Sequence, residues 1–595
     1  METPVPSASP ASVRPSAAIG ANRRWFVYLG VAAILLGLLI LVRMEHSWEG
    51  ATLKRSSIGL DAMIGVDFGR IYGFWAGVGN VVLLSLILIS SRWWWPRANA
   101  NLPIDSAFNK PGIPGRAEKL LLIALILLSV WIRLPQLNRW VFRDEQDTLR
   151  YQIHGYHQLD KKTQQLEFLE ATWADAFFWN PHGNNPVLTS VTSKASLDLW
   201  RAISGTPRDT FNRIAFRLPV FLAGLLTIVA LWWMARAVLI PELALGVAAM
   251  GALHPEIINY GIEARGYGFM LLGVCVSIGA AFRALRHGTW RNWGLLGFGF
   301  FIMLFAYAGS VFFVLPFALI IFGTLLGRRR QSELKAAADR DLLRLILVGA
   351  AFGGIFVQVE MPALMCFLLQ QRPFPWTNEL DASWLFSYWT QYATGRMFEW
   401  DGATPGSPSL ISHVLGTLFP QAPLYWTLAI SIPVFMVVGL VSFWRANPPW
   451  ARLLIVVALI SPLLQAVVHF YVIHRVLFFF YLLYVLPVYL VLLVQGLFRI
   501  GQLLAVPQGM HPVSSKVPGA VLTGFLVLYF VTCTSPKPAL QRSDFLVQTE
   551  PEVYTRGKSN WIVYPTGQIL SQRTELPIPA TFADAQKTIP APALP

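Results

Sequence analysis

Asp144 and Glu145 stand side by side in the charged stretch WVFRDEQDTLRYQIHGYHQLDKKTQQLEFLEATWADAFFW (140–179). Two chemistries are open to such a pair. At the start of a helix, Asp144 would cap free amides while Glu145 and Asp147 complement the helix dipole, worth about 1 kcal/mol and no reaction. Facing a cleft, a carboxylate can instead take a proton from a hydroxyl. A second acid, Glu263, precedes Tyr267 by one helical turn in Glu263-Ala264-Arg265-Gly266-Tyr267, so the two share a face if a helix begins there. Arg133, Arg217, Arg265 and Arg475 fall at the ends of apolar runs. Each either snorkels towards headgroups or turns a permanently charged planar fork on an anion. Arg475 has His469 and His474 nearby in HFYVIHRVLFFF. His154, His157, His182 and His254 show neither HxxxH nor HExxH spacing and read as loop residues. Glu360, inside an apolar run, must be paired, protonated or open to a cavity.

The elements that must position these groups are membrane helices. Of 595 residues, 55% are hydrophobic and 13% charged, with mean hydropathy +0.50, against roughly 25% charged in a soluble domain. That excludes an ordinary soluble protein. At roughly 20 apolar residues per crossing, it also excludes a single span carrying a soluble domain. Apolar runs near 25–42, 71–91, 119–134, 214–240, 243–261, 266–286, 292–309, 310–327, 342–370, 422–444, 450–470, 476–498 and 519–535 predict about thirteen spans. Cys275, Cys366 and Cys533 all lie in apolar runs, so neither a disulfide framework nor a CxxC metal pair is present.

Charge orients the bundle. Arg328-Arg329-Arg330, the 92–119 linker and Arg283, Arg286 and Arg291 share one side, which the positive-inside rule makes cytoplasmic. About 22 Lys/Arg and about 7 Asp/Glu lie there, leaving about 25 of each outside. The net +15 is thus a product of topology and implies no nucleic-acid partner. Residues 1–22, rich in Pro, Ala and Ser, read as a disordered cytoplasmic tail, and Arg23-Arg24 opens an uncleaved anchor. Segments 135–213, 371–421 and 536–595 are left outside. With no Asn-x-Ser/Thr sequon anywhere, a bacterial plasma membrane fits better than a glycosylating lumen. In 140–179, Leu149, Ile153 and Tyr156, then Leu166, Leu169 and Trp173, recur at helical spacing and predict two amphipathic helices on the membrane surface.

Four motifs then occur in one order: Asp144-Glu145 in the first outer loop, Asn184-Asn185-Pro186-Val187-Leu188, Phe216-Arg217-Leu218-Pro219 opening the next span, and Glu263-Ala264-Arg265-Gly266-Tyr267. Their order resembles the GT-C membrane glycosyltransferases. It is most similar to the bacterial branch related to protein O-mannosyltransferases and the lipid A aminoarabinose transferase (family 39-like). The resemblance covers 119–370 by motif and the rest by hydrophobic pattern alone. It implies an all-α polytopic GT-C bundle in which 119–370 is the catalytic module, preceded by two additional helices and a basic linker (23–118) and followed by 371–535 and the 536–595 tail.

The activity so implied is transfer of a hexose or pentose from a polyprenyl-phosphate carrier to an extracytoplasmic glycan, lipid or protein acceptor. On this resemblance Asp144, with Glu145 beside it, is the catalytic base or a metal ligand, and Glu263 is the second carboxylate. Arg265, Arg475 and Arg217 are phosphate-binding arginines. A divalent ion, if used, would lie between Asp144 and Glu263, although metal-using relatives carry an acid nearer the position of Tyr267. Relatives also show a basic group around 184–188 where this chain has Asn184-Asn185-Pro186, leaving His182 as its replacement. The rival reading is a transporter or flippase of lipid-linked saccharides. That would place ionisable groups and helix breaks at mid-membrane in corresponding halves, whereas most acids here are in outer loops and no inverted repeat is visible.

Overall fold

A computed structural model of the chain describes residues 17–44, 46–100, 115–139, 141, 143–159, 166–181, 183, 185–370, 380–395, 422–505, 516–534, 552–556, 559–563 and 569–571. Apolar composition makes it a helical bundle, because a buried backbone in lipid can satisfy its amides only within itself. In chain order the first helices are α1 (Ala17–Arg43), α2 (Ser47–Ile58), α3 (Gly65–Ala98), α4 (Arg116–Arg133), α5 (Arg143–Thr148), α6 (Trp173–Phe178), α7 (Val187–Ser204), α8 (Arg213–Ala235), α9 (Pro241–Leu253) and α10 (Pro255–Tyr260). They are followed by α11 (Tyr267–His287), α12 (Trp290–Ala306), α13 (Val311–Arg329), α14 (Lys335–Leu369), α15 (Ala382–Thr394), α16 (Ala422–Ala446), α17 (Pro449–Val467), α18 (Leu486–Ala505) and α19 (Val517–Thr532).

Among the described residues, nine helices are long and apolar enough to cross a membrane. The other four expected spans are helical but shorter or more charged. α9 and α19 are short apolar helices, α12 has 17 residues, and α4 carries Arg116, Glu118, Lys119 and Arg133 within 18. The chain is therefore a multi-pass membrane protein, and nine rather than thirteen of its described helices meet the length and apolarity of a full crossing. The core gathers α8, α9, α11–α13, α17 and α18 around side chains such as Trp293, Phe282, Phe313, Phe317 and Tyr484.

The bundle has two chemically different ends. At the basic end, arginines knit helix termini together by donating to carbonyls that the helices leave free: Arg344 to Ala98 and Gly288, Arg328 to Leu285, and Arg286 to Ala237. Arg236 pairs there with Glu118 at 2.8 Å. At the opposite end lie the loops. The start of α3 presses against α6, where a Cβ at Gly65 would meet the Ala174 carbonyl at 2.8 Å and one at Gly69 the Phe178 ring at 2.5 Å. Gln370, closing α14, donates to the carbonyls of Leu60 and Met63.

Two expectations are corrected. Helical periodicity holds through α5 and the wide turn Leu149–Ile153, whose Leu149 and Ile153 are fully buried against Leu197, Phe216 and Ala264. It then stops at Gly155, whose φ of +122° no side chain would favour. The second expected amphipathic helix is instead a hairpin, β1 (Gly155–Leu159) paired antiparallel with β2 (Leu166–Glu170). Leu166 and Leu169 satisfy a helical spacing but sit on a strand, and Trp173 begins α6 only after Thr172 has capped it. The amphipathic helix of this loop is α7. The segment expected as a disordered tail also ends early, since α1 begins at Ala17; residues 1–16 lie outside the described part. Within 536–595, three short strands, Glu552–Arg556, Ser559–Val563 and Ile569–Ser571, form an antiparallel sheet.

Candidate active site

The site is built from the start of α8 outwards. The Asn212 side chain accepts the Ala215 N–H and so fixes the first turn of α8. One turn later Arg217 points inward with no exposed surface. Its Nε and Nη2 donate to the two carboxylate oxygens of Glu145 at 3.0 and 2.6 Å, a bidentate pair in which Glu145 is also fully buried. The Arg217 Nη1 donates to the carbonyls of Leu137 and Arg139 at 2.9 and 2.5 Å. Glu145 Oε1 further accepts the Ala264 N–H at 2.7 Å. Three motifs distant in sequence thus meet on one carboxylate.

The neighbour of that amide, Glu263, is largely buried with Arg139 Nη2 3.8 Å away. Burial holds the Arg139 guanidinium below its usual pKa, while Glu263 acts in the opposite direction. On the other side of Ala264, Arg265 is buried and stands 5.9 Å over the Tyr267 ring. Arg265 lines a narrow cleft with Asn180, Gly183, Asn185, Pro186 and Tyr307. Asn185 staples the wall of that cleft: its N–H donates to Asn180 Oδ1 at 2.9 Å, its Nδ2 to the Trp179 carbonyl at 3.0 Å, and its Oδ1 accepts Ser190 Oγ at 2.6 Å.

Arg475 approaches from the late helices. Its guanidinium lies 5.3 Å over the Phe367 ring, and its N–H donates to the His469 carbonyl at 3.0 Å. The chain turns there through His474 at φ 49°, a left-handed conformation that marks a tight return. Phe367 in turn abuts Gly183, where a Cβ would come within 2.6 Å of the ring and where φ is +67°. Arg265 and Arg475 are thus linked through two residues, Gly183 and Phe367.

Of the expected site residues, the structure brings Glu145, Arg217, Glu263 and Arg265 to one junction and connects Arg475 to it. Asp144 is the second residue of α5, so the helix starts one residue ahead of it; its side chain lies outside the described residues, as do His182 and Asn184. Arg133 and Arg217 do not snorkel. Both are fully buried, Arg133 donating to the Ser129 carbonyl at 3.3 Å. Glu360 is buried in α14 and its Oε2 has no hydrogen-bond partner. Among the described residues no group of three or more His, Cys, Asp or Glu side chains could hold a metal. Glu263 faces the Arg139 guanidinium.

Sequence reasoning missed Arg139 and the aromatic wall. Tyr307 stacks on Tyr481 with ring centroids 5.0 Å apart and lies 6.1 Å from Tyr267. Its hydroxyl accepts Gln465 Nε2 at 3.2 Å, and Gln465 Oε1 accepts the Tyr484 hydroxyl at 3.0 Å. The density of rings in FFFYLLY (478–484) was a signal available for that wall.

A mannosyltransferase family matches about a quarter of the chain. The match is specific: residues 209–351 fit the family described as dolichyl-phosphate-mannose-protein mannosyltransferase. That stretch contains Arg217, Glu263 and Arg265 and ends before Phe367 and Arg475. No curated protein matches the chain. Among solved structures, the archaeal oligosaccharyltransferase AglB from Archaeoglobus fulgidus, in complex with an inhibitory peptide and a dolichol-phosphate, aligns over 72% of this chain at 12% identity and a TM-score of 0.38. The chain spans 57% of that protein's length, a likeness too distant to carry a functional argument.

Proposed function

We propose that this chain is a membrane glycosyltransferase that moves a sugar from a polyprenyl-phosphate carrier to an acceptor hydroxyl at the loop-bearing end of the bundle. The observation that carries the reading is the Glu145–Arg217 pair, which fixes the acidic loop and the EARGY turn to each other and leaves Arg265 facing a cleft. Supporting it is the family match over 209–351.

In this reading Asp144 is the base and Glu145 the positioning residue that holds it in place, since both Glu145 oxygens are already engaged. Asp144 takes the acceptor proton, the acceptor oxygen bonds to the anomeric carbon, and the bond from that carbon to the phosphate oxygen breaks. The lipid phosphate leaves with the electron pair, and its negative charge is met by Arg265 and Arg475. Arg217, consumed by Glu145 and two carbonyls, serves the loop rather than the phosphate. Tyr267 and Tyr307, which line the same cleft as Arg265, are the rings nearest to where the sugar would lie. We further propose that this end is extracytoplasmic in a bacterial plasma membrane, because the opposite end collects the arginines.

The test is transfer from a radiolabelled polyprenyl-phosphate sugar by purified protein in liposomes. Arg265→Ala and Arg475→Ala should each reduce transfer at least tenfold while the unfolding temperature stays near that of the parent. Full activity in both variants would remove the phosphate clamp and with it this assignment.

A further inference from the structure

Another cavity is lined by none of the candidate-site residues. Between α1 and α3 on one side and α12 and α14 on the other lies a groove of about 900 Å³. It is walled by Leu83, Leu84, Ile87, Leu347, Ala351 and Phe352, and Phe26, Trp94, Trp95, Asn99 and Trp290 form its mouth at the basic end. A second cavity of about 590 Å³ shares Asn80, Leu83, Ala350 and Gly354 with it and continues towards Tyr72 and Met365. Small residues make this channel: Gly349 and Gly353 have no atom within 4 Å of where a Cβ would stand. The polar groups on the wall are already satisfied. Asn80 Nδ2 donates to the Gly354 carbonyl at 2.9 Å, and Trp290 Nε1 donates to Asn99 Oδ1 at 2.9 Å. The interior therefore asks for hydrocarbon.

The mouth asks for an anion. α1 runs antiparallel to α3, with the Phe26 ring 5.5 and 4.9 Å from those of Trp94 and Trp95 and Gly30 against Leu88. Continuing that pairing by one turn brings Arg23 to the level of Arg97. The Arg23 Nε is buried and has no hydrogen-bond partner. Among the described residues no carboxylate pairs with Arg23, Arg92 or Arg97, whereas Arg236, Arg329 and Arg340 each have one. Arg344, 5.1 Å over the Trp290 ring, adds a further positive charge at that end.

We propose that this groove is a binding site for an anionic phospholipid of the basic-end leaflet, one acyl chain running between α3 and α14 and the headgroup phosphate resting among Arg23, Arg97 and the indoles of Trp94 and Trp95. The site is separate from the proposed transfer reaction and does not depend on it. Acyl chain and phosphate are held by different parts of the protein, so the two can be removed independently.

The experiment is native mass spectrometry of the full-length protein in detergent after exposure to dioleoyl phosphatidylglycerol or dioleoyl phosphatidylcholine. One phosphatidylglycerol should be retained with at least tenfold higher occupancy than phosphatidylcholine. Occupancy should fall at least tenfold in Ala351→Phe and in Gly353→Phe, the latter at a position of the continuing cavity where a Cβ meets no atom within 4 Å, and also in the Arg23→Ala/Arg97→Ala double variant. The charge variant alters only the rim, so its result stands even if a filling variant fails to fold. Equal retention of the two lipids overturns the proposal, as does retention of phosphatidylglycerol in folded filling variants. Displacement of bound phosphatidylglycerol by undecaprenyl phosphate at equal concentration would assign the groove to a polyprenyl tail instead and overturn it as well.

Discussion

Glu145 and Arg217 are separated by 72 positions and share no exposed surface. Removing one partner strands the other charge in a dry site, which typically costs about 3–5 kcal/mol, whereas exchanging both for apolar groups of similar size is often close to neutral. Glu145→Ala should therefore lower the unfolding temperature in detergent sharply, and Glu145→Leu/Arg217→Met should restore much of it. Asp144→Asn should behave differently, with expression and melting near normal but transfer reduced by about 10²- to 10⁴-fold, the usual contribution of a general base. If Asp144→Asn keeps most of its activity, the base lies elsewhere and Glu263 becomes the candidate. Neither the partner of Glu145 nor that of Glu263 was legible in the sequence. A doublet of acids announces that one of them has unusual surroundings, but which one is used up by an arginine depends on a contact closed by three distant segments.

Helices were legible to the extent that lipid imposes them. A run of twenty apolar residues has one stable conformation in hydrocarbon, so α1, α3, α8, α11, α13 and α14 sit where hydropathy places them. The stretch after Gly155 was not legible because Leu166, Leu169 and Trp173 fit a helix, while the chain has the alternative of pairing Tyr156 with Leu169 across a hairpin. Close helix packing is another feature visible only in three dimensions. In α16 and α18, a Cβ at Gly439 would collide with the Leu492 carbonyl and one at Gly496 with the Phe435 carbonyl. Small residues at such a crossing let backbones touch in a setting where hydrophobicity supplies no attraction between helices. Gly439→Ala should force the pair apart and destabilise by roughly 1–3 kcal/mol, read as a lower melting temperature. Gly524→Ala in α19, with no atom near its Cβ position, should leave melting unchanged.

For the whole molecule, the proposed orientation puts 135–213 and 371–421 outside and 328–341 inside. All three native cysteines are buried, so single cysteines introduced on the loops can be read against a silent background. A membrane-impermeant maleimide applied to intact cells should label position 160 and leave position 329 unlabelled; the reverse pattern would invert the bundle and move the reactive end into the cytoplasm. The N-terminal helices bear on the same end. Gly65 and Gly69 of α3 admit α6, and the Asn180 N–H that follows α6 donates to Cys366 Sγ of α14 at 3.3 Å. A protein beginning at Arg116 would retain Asp144, Glu263, Arg265 and Arg475, and Asn180 would keep Cys366, yet α6 would have lost the face of α3 on which Gly65 and Gly69 admit it. Held from one side only, the segment would let the Gly183–Phe367 contact between the two arginines of the clamp loosen. Such a truncation should still bind the carrier lipid through either arginine alone but fail to align it, so the KM for the donor would change little while kcat collapses. The helices that carry no reactive group would thus set the rate.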